Sequence, residues 1–224
     1  IQNLVRHAMA RDDWDFIQLL SPTCLPIRPI SDFQAHVSAT GADYLIDGVD
    51  IGPNDHFLVS HGWRAFAPEG QLRHRMLRRA RRWYLGEDST AVNYAGLAFP
   101  VSSKLEVGLL GALKARAGLG IMKMAARGWG YDHPFSDSFR CYAGSNWFGA
   151  TRDACAYLMS QTEGTPLLEF MKGIHMPDEM LYTSVFMNSE LKGGIGAHYI
   201  SRFVDARPAW LGTADLDEVL GSGR

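Results

Sequence analysis

The clearest structural signal in this chain is the segment Ala143-Gly144-Ser145-Asn146-Trp147-Phe148-Gly149-Ala150-Thr151-Arg152. Small residues near its start predict a turn, and two aromatic side chains follow. Thr151 belongs to the residue types that cap helix N-termini by accepting a backbone N–H hydrogen bond. The segment therefore predicts a strand that leads into a helix beginning near Arg152.

A second segment predicts the start of another helix. It reads Met176-Pro177-Asp178-Glu179-Met180-Leu181-Tyr182-Thr183-Ser184-Val185-Phe186-Met187-Asn188-Ser189. Pro177 suits the first helical position, where its missing N–H costs no hydrogen bond. Asp178 and Glu179 fall in the first turn, where the positive end of the helix dipole favours carboxylates. From the dipole we expect the pKa of Glu179 to be lowered and its side chain to be ionised.

Helices and strands alternate in the N-terminal part of the chain. Residues 1–12 have apolar side chains at helical spacing, and residues 16–20 form a short apolar run that ends at Ser21. Residues 32–38 predict a short helix and residues 44–46 another strand. This order is typical of α/β proteins, in which helices cover the faces of a sheet. The sequence contains no linker, repeat or low-complexity segment, so we predict a single domain over residues 1–224.

The middle of the chain is strongly basic. Residues 71–85 predict a helix with six arginines, four of which share one stripe: Arg75, Arg78, Arg79 and Arg82. The stripe either contacts phosphate or an anionic glycan, or it is a solvated helix face, which is the more common use of such runs. Residues 100–127 predict an apolar helix with several glycines, whose spacing does not match a dinucleotide-binding loop.

Composition narrows the class of protein. The chain has 224 residues, of which 46% are hydrophobic and 21% charged, as in globular domains. A net charge of −2 argues against a general affinity for nucleic acid or membrane surfaces, and no apolar run reaches the roughly 18 residues of a membrane span. Cys24, Cys141 and Cys155 are too scattered for a disulfide framework or a zinc site. With no Asn-x-Ser/Thr acceptor present, we expect a cytoplasmic protein.

Both segments together resemble the core-2/I-branching β-1,6-N-acetylglucosaminyltransferase family, which also contains peptide O-xylosyltransferases. The family shares a Gly-Ser-x-aromatic-Phe-x-x-x-Arg segment, matched by residues 144–152, and then a Pro-x-Glu segment, matched by residues 177–179. Residues 14–27 resemble the family's Trp-containing strand and its Leu-Ser turn, although Cys24 stands where many relatives carry Asp.

The resemblance reappears near the C-terminus but does not cover the whole chain. Residues 203–205 and 212–216 resemble the stretch that precedes the family's C-terminal basic motif, whereas residues 49–135 match no part of the family. The resemblance implies a bacterial-type member with a GT-A-like mixed sheet flanked by helices. It also implies a chain incomplete at both ends, with the first nucleotide-binding strand lying before Ile1.

The implied activity is an inverting glycosyltransferase. It would move N-acetylglucosamine or xylose from a UDP-sugar to a hydroxyl of a glycan or another acceptor. The resemblance makes Glu179 the general base. Their side-chain chemistry places Ser145, Asn146 and Trp147 on the acceptor side, because polar groups can bind sugar hydroxyls and an aromatic ring can stack on a sugar, although Ser145 and Asn146 can equally bond the backbone of the turn. Arg207, or less favourably Arg202, would contact the diphosphate in place of a metal ion. No cofactor and no nucleic-acid partner is implied.

The residues also allow plainer interpretations. Glu179 can act only as a helix cap, Phe148 can be a core residue, and His133 can be an ordinary loop histidine. The Asp-x-Asp string at Asp215 and Asp217 lies too near the C-terminus to hold a metal ion on the donor. Two alternatives for the whole protein stay open: a catalytically inactive sugar-binding module of the same fold, and an anionic-polymer binder that uses the stripe between Arg73 and Arg82.

Overall fold

A small mixed sheet with helices on its faces organises the larger part of the chain. The computed structural model describes residues 1–22, 24–51, 57–63, 71–85, 91–94, 97–100, 108–128, 130, 132–144, 146–174, 177–195, 202–204 and 207–221. The helices are α1 Gln2–Met9, α2 Ile30–Thr40, α3 Leu72–Leu85, α4 Gly108–Gly128, α5 Arg152–Thr162, α6 Pro166–Met171, α7 Asp178–Met187 and α8 Leu216–Gly221. A π-helical turn spans Leu58–Gly62 and a 3-10 turn spans Thr213–Asp215.

Ten short strands accompany these helices in the described residues. They are β1 Phe16–Gln18, β2 Tyr44–Ile46, β3 Gly48–Asp50, β4 Ala91–Tyr94, β5 Leu97–Pro100, β6 Tyr142–Gly144, β7 Gly149–Thr151, β8 Gly193–Ile195, β9 Arg202–Val204 and β10 Arg207–Ala209. The strand order in the main sheet is β1-β7-β2-β8. β7 is antiparallel to both of its neighbours, and β2 is parallel to β8. The α/β class predicted from the sequence is therefore correct.

The strand-to-helix prediction around residues 143–152 is confirmed. The hydroxyl of Thr151 accepts a hydrogen bond from the backbone N–H of Ala154 at 3.3 Å, which caps α5. Gly149 leaves room for β1, because a Cβ atom there would lie 2.6 Å from the ring of Phe16. The predicted strand at residues 44–46 is also confirmed, and the predicted helices at 1–12 and 32–38 correspond to α1 and α2.

Strands β3 and β6 form a separate antiparallel pair that approaches very closely. Gly48 lies opposite Gly144, and a Cβ atom at Gly144 would overlap the carbonyl oxygen of Asp47. A Cβ atom at Gly48 would overlap the side chain of Thr183 on α7. Glycine is needed at both positions because another backbone or a helix side chain occupies the space.

Aromatic side chains dominate the main hydrophobic core. Phe148 and Phe186 are fully buried, and their ring centroids lie 5.2 Å apart in an edge-to-face arrangement. Tyr44 stacks on Phe186 with a centroid distance of 4.8 Å. This core joins the sheet to α5 and α7, so it fixes the position of α7 relative to the strands.

Helices α3 and α4 form a second cluster of buried side chains together with the π-helical turn. Every residue of this cluster lies between Leu58 and Ala126, inside the region that does not resemble the glycosyltransferase family. The predicted helix at 71–85 is confirmed as α3. The prediction of a helix from Pro100 is wrong at its start, because residues 97–100 pair with residues 91–94 and the helix is described from Gly108. The prediction of one domain remains a prediction.

Gly118 and Gly120 of α4 allow a matched test of the packing between α3 and α4. A Cβ atom at Gly118 would overlap the carbonyl oxygen of Ala80, whereas one at Gly120 would meet nothing within 4 Å. We expect Gly118→Ala to lower the free energy of unfolding by about 1–3 kcal/mol through overpacking. Gly120→Ala should raise it by up to about 1 kcal/mol through helix propensity. Urea unfolding of both variants checks this, and equal effects at the two positions would contradict the packing.

Candidate functional site

Helix α7 is the rigid element of the candidate site. Its residues from Met180 to Phe186 are all buried, so packing on every side holds the helix in place. Pro177 stands at the N-cap position, one residue before the first helical position where the sequence pattern put it. Asp178 and Glu179 occupy the first turn as predicted.

Ser184 of α7 and Asn188 at its C-terminal cap hold strand β6 and the residues just before it against the helix. The Ser184 hydroxyl accepts a hydrogen bond from the backbone N–H of Tyr142 at 2.9 Å and donates one to the carbonyl oxygen of the same residue at 3.1 Å. The Asn188 amide bonds the backbone N–H and the carbonyl oxygen of Arg140 at 2.9 and 2.8 Å. These contacts place the turn that follows β6 beside the N-terminal end of α7.

The two segments singled out in the sequence meet at this point. The side-chain amide of Asn146 donates a hydrogen bond to the carboxylate of Asp178 with a donor–acceptor distance of 2.5 Å. Both side chains are partly buried, so little water competes for the contact. The turn that contains Asn146 is therefore fixed against the residue that precedes Glu179.

Glu179 lies in an unfavourable environment for a charge. Its Oε2 atom is buried and has no hydrogen-bond partner among the residues that the structure describes. Burial, with a smaller contribution from the neighbouring Asp178 carboxylate, raises the pKa of Glu179 from 4.5 to about 7. The expectation that the helix dipole lowers this pKa is wrong, because loss of hydration outweighs the dipole.

A carboxyl group with a raised pKa can take part in proton transfer. With a pKa of about 7, Glu179 changes its charge near neutral pH and can accept a proton there. Within the described part of the chain, its Oε2 atom makes no hydrogen bond that would cap the helix. Perturbed carboxyl groups of this kind are concentrated at functional sites, which supports the choice of Glu179 as the reactive group.

The structure describes the other predicted site residues to different extents. Trp147 is half-buried. Phe148 is a core residue, which was the simpler of the two interpretations of its sequence position. Ser145 lies outside the described residues. Arg202 and Arg207 lie on the paired strands β9 and β10, but only their backbones are described, so the predicted diphosphate contact remains a prediction.

His133 and Cys24 have local partners. The His133 ring packs edge-on against Phe57 with a centroid distance of 5.2 Å, which fits an ordinary packed histidine. Cys24 is exposed and lies 3.3 Å from the hydroxyl of Ser21. The departure from the family Asp at this position therefore leaves a thiol within a surface turn.

Several aspartates elsewhere in the described residues bind other groups of the protein. Asp13 and Asp15 form a further Asp-x-Asp string, and Asp13 pairs with Arg11 at 2.7 Å. Asp50 pairs with Arg140 at 2.8 Å, and Asp215 accepts a hydrogen bond from the Gly212 backbone at 2.7 Å. Within the described ranges, no group of three His, Cys, Asp or Glu side chains is placed to hold a metal ion.

Comparisons with known proteins leave the resemblance untested. The chain matches no protein-family model, and searches of curated proteins and of solved structures return no match. Among the described helices, none is long and apolar enough to cross a membrane.

Sequence reasoning missed the contribution of Asp178 to the site. We interpreted it only as a residue that favours the start of a helix, yet it binds Asn146 and raises the pKa of Glu179. The spacing between Asn146 and Asp178 in the chain gives no hint of this contact. The adjacency of two acidic residues was the available signal, since like charges that are close together raise each other's pKa.

Proposed function

We propose that this protein is an inverting glycosyltransferase with a GT-A-like fold that uses a UDP-sugar donor. The observation that supports it best is the meeting of the two family-like segments through the hydrogen bond from Asn146 to Asp178, beside a carboxyl group whose pKa is near 7. The mixed α/β sheet with flanking helices is compatible with such a fold. The resemblance supplies the donor class, either UDP-N-acetylglucosamine or UDP-xylose.

In the proposed reaction Glu179 removes the proton of the acceptor hydroxyl. The acceptor oxygen then forms a bond to the anomeric carbon on the face opposite the diphosphate. The bond from that carbon to the diphosphate oxygen breaks, and UDP leaves with the electron pair. Arg207 stabilises the departing diphosphate, for which a guanidinium has matching geometry. The proton stays on Glu179 until water removes it.

The hydrogen bond from Asn146 gives Asp178 a positioning role in this proposal. It holds the Asp178 carboxylate at the turn, where its negative charge adds to the larger effect of burial in raising the pKa of Glu179. A base that is too acidic accepts a proton poorly, so a pKa close to the working pH favours the transfer. In the proposal, the half-buried Trp147 stacks on a sugar ring of the acceptor.

A catalytically inactive sugar-binding module is the second candidate. The departure at Cys24 favours it, because the residue that many relatives carry there is absent. The buried Oε2 of Glu179, which has no hydrogen-bond partner among the described residues, favours an enzyme, because a binding module gains nothing from holding a carboxyl oxygen in this state.

Titration calorimetry of the full-length protein with UDP, UDP-N-acetylglucosamine and UDP-xylose tests the donor class, with GDP-mannose as the mismatched control. We expect binding of UDP and of one UDP-sugar, and no binding of GDP-mannose. Binding of free sugars without any affinity for UDP would favour the inactive module. No binding of any nucleotide or sugar would contradict both candidates.

We also expect donor turnover that does not need a divalent metal ion. The reason lies in the resemblance, which assigns the diphosphate to a basic side chain in place of a metal. UDP release by the full-length protein, measured with and without EDTA, should differ by less than about two-fold, since charge stabilisation by arginine is independent of chelation. Loss of most activity in EDTA and its recovery with manganese would contradict the role of Arg207.

A further inference from the structure

The charges of this protein are distributed very unevenly. The whole chain has 22 basic and 24 acidic side chains. Helices α3 and α4 contain ten of the basic residues and no acidic residue, so the remaining residues carry 12 basic and 24 acidic side chains. The small net charge of the chain therefore conceals a strongly cationic pair of helices beside an acidic remainder.

The face of α4 that points away from its buried side is apolar. Buried residues of this helix include Ala115, Met122 and Ala126. At about 3.6 residues per turn, Leu113 and Met124 lie on the opposite side. Their exposed fractions are 54% and 68%, and Leu109 and Leu110 near the start of the helix are exposed at 81% and 67%. Exposed basic residues flank this face: Lys114, Arg116, Lys123 and Arg127.

Helix α3 combines cationic and apolar side chains in the same way. The four arginines of the predicted stripe, Arg75, Arg78, Arg79 and Arg82, are all exposed. Leu72 and Met76 are exposed at 65% and 62%. The Arg79 guanidinium lies 5.9 Å from the centre of the partly exposed Trp83 ring. Trp beside basic side chains is typical of helices that lie at a membrane interface.

We propose that the exposed apolar face of α4 binds the surface of an anionic lipid bilayer. We call it the α4 face. Its flanking arginines and lysines would attract acidic headgroups, while its leucines and methionine would enter the boundary between headgroups and acyl chains. The exposed cations of α3 would add to the attraction from a distance, and the acidic remainder of the protein would be repelled by the same membrane, which orients the α4 face toward it.

The apolar side chains favour a bilayer over a nucleic acid as the partner. Phosphate contacts need basic and polar groups, and the large exposed leucines of α4 would gain little against a nucleic-acid backbone. A bilayer satisfies both the charge and the apolar surface. Two copies of the chain would not pair through this surface, because the cations of both would face each other. The proposal does not depend on the proposed transferase activity.

Co-sedimentation with vesicles of phosphatidylglycerol mixed with phosphatidylcholine tests this proposal, with pure phosphatidylcholine vesicles as the control. We expect the full-length protein to bind the anionic vesicles, to bind pure phosphatidylcholine at least about ten-fold more weakly, and to dissociate as salt is raised. Absence of binding to anionic vesicles, or equal binding to both kinds, would overturn the proposal.

Matched variants locate the binding surface. Arg116→Glu with Arg127→Glu, at exposed positions beside the α4 face, should weaken binding to anionic vesicles by at least about ten-fold, because each basic residue near the surface contributes to attraction. Arg11→Glu with Lys172→Glu makes the same change in net charge at exposed positions outside α3 and α4, and it should weaken binding less than about three-fold. Equal losses in the two variants would show a response to net charge alone and would overturn the proposal.

A third variant separates lipid from nucleic acid. Leu109→Ser with Leu110→Ser keeps every charge and removes apolar surface, so it should weaken vesicle binding by at least about ten-fold. Circular dichroism checks that each variant retains its helices, and the exposure of all substituted positions makes unfolding unexpected. Unchanged vesicle binding by this variant, or tighter binding of the wild type to a DNA oligonucleotide than to the vesicles, would overturn the choice of a lipid partner.

Discussion

Glu179→Gln should lower kcat for sugar transfer by roughly 10²-fold while donor affinity changes little. The amide has the shape of the carboxyl group but cannot accept the proton of the acceptor hydroxyl. Donor contacts lie elsewhere in the proposal, at Arg207, so binding of the UDP-sugar should persist. Steady-state turnover and calorimetric titration of the same preparation measure the two quantities. Glu169→Gln, an exposed glutamate in the first turn of α6, is the matched control and should leave turnover within a few-fold of wild type.

The same variant should change stability in a pH-dependent way. The pKa of Glu179 is raised in the folded protein from 4.5 to about 7, so the folded state holds the proton more tightly than the unfolded state. The stabilisation by the protonated side chain is complete below 4.5 and is lost as the pH rises through about 7. Glu179→Gln should therefore have a higher Tm than wild type at pH values above 7, and a similar Tm below 4.5.

A Glu179 that serves only as a helix cap would behave differently. Its replacement by Gln would leave turnover within a few-fold of wild type and would not raise the Tm at alkaline pH. Loss of activity together with a gain of stability is the pattern expected of a group that is kept in an unfavourable environment for function.

Activity should fall steeply on the acidic side of neutrality. A base with a pKa of about 7 is about 1% ionised two pH units lower, so kcat/KM should fall roughly 10²-fold from its plateau at pH values near 5. The rate profile of the full-length protein over this range checks the expectation. A profile that stays flat down to the ordinary pKa of a glutamate would show that the active base is not the desolvated Glu179.

Asp178→Asn tests the cause of the fall in kcat/KM on the acidic side of the pH profile, which we call the acidic limb. Removing the neighbouring negative charge should move the limb to lower pH, because Asp178 contributes to the raised pKa of Glu179. The new amide oxygen can still accept the hydrogen bond from Asn146, so the turn should stay in place. Asp153→Asn, in the first turn of α5, is the matched control and should leave the limb unchanged. A limb that moves equally in both variants would contradict the pairing of Asp178 with Glu179.

Local structure was predictable where short-range chemistry determines it. The cap at Thr151 needs only a hydroxyl at the right position before the helix, and the strand at residues 44–46 needs only a short apolar run. The glycines of residues 143–149 predicted a turn, but the sequence did not show why glycine is needed at these positions. Gly144 leaves space for the Asp47 carbonyl and Gly149 for the Phe16 ring, and both partners are distant in the chain.

Features that depend on long-range packing were not predictable. The sheet order brings β1 and β2 to opposite sides of β7, which no local pattern encodes. The pKa of Glu179 was predicted in the wrong direction because the dipole is a property of the helix, whereas burial is a property of everything packed around it. Net charge likewise does not show how charges are distributed, since helices α3 and α4 carry ten basic and no acidic side chains while the rest of the chain carries 12 basic and 24 acidic ones.

Turnover of UDP-sugars by the full-length protein decides whether it is an inverting glycosyltransferase. The measurement combines UDP release with NMR of the glycosylated product, using UDP-N-acetylglucosamine and UDP-xylose in the presence of a panel of hydroxyl acceptors. We expect transfer from one of these donors, a product with the anomeric configuration opposite to that of the donor, and loss of that product in Glu179→Gln. Transfer with retained configuration, or transfer that persists in Glu179→Gln, would contradict this expectation, as would the absence of any turnover by a protein that binds the donor.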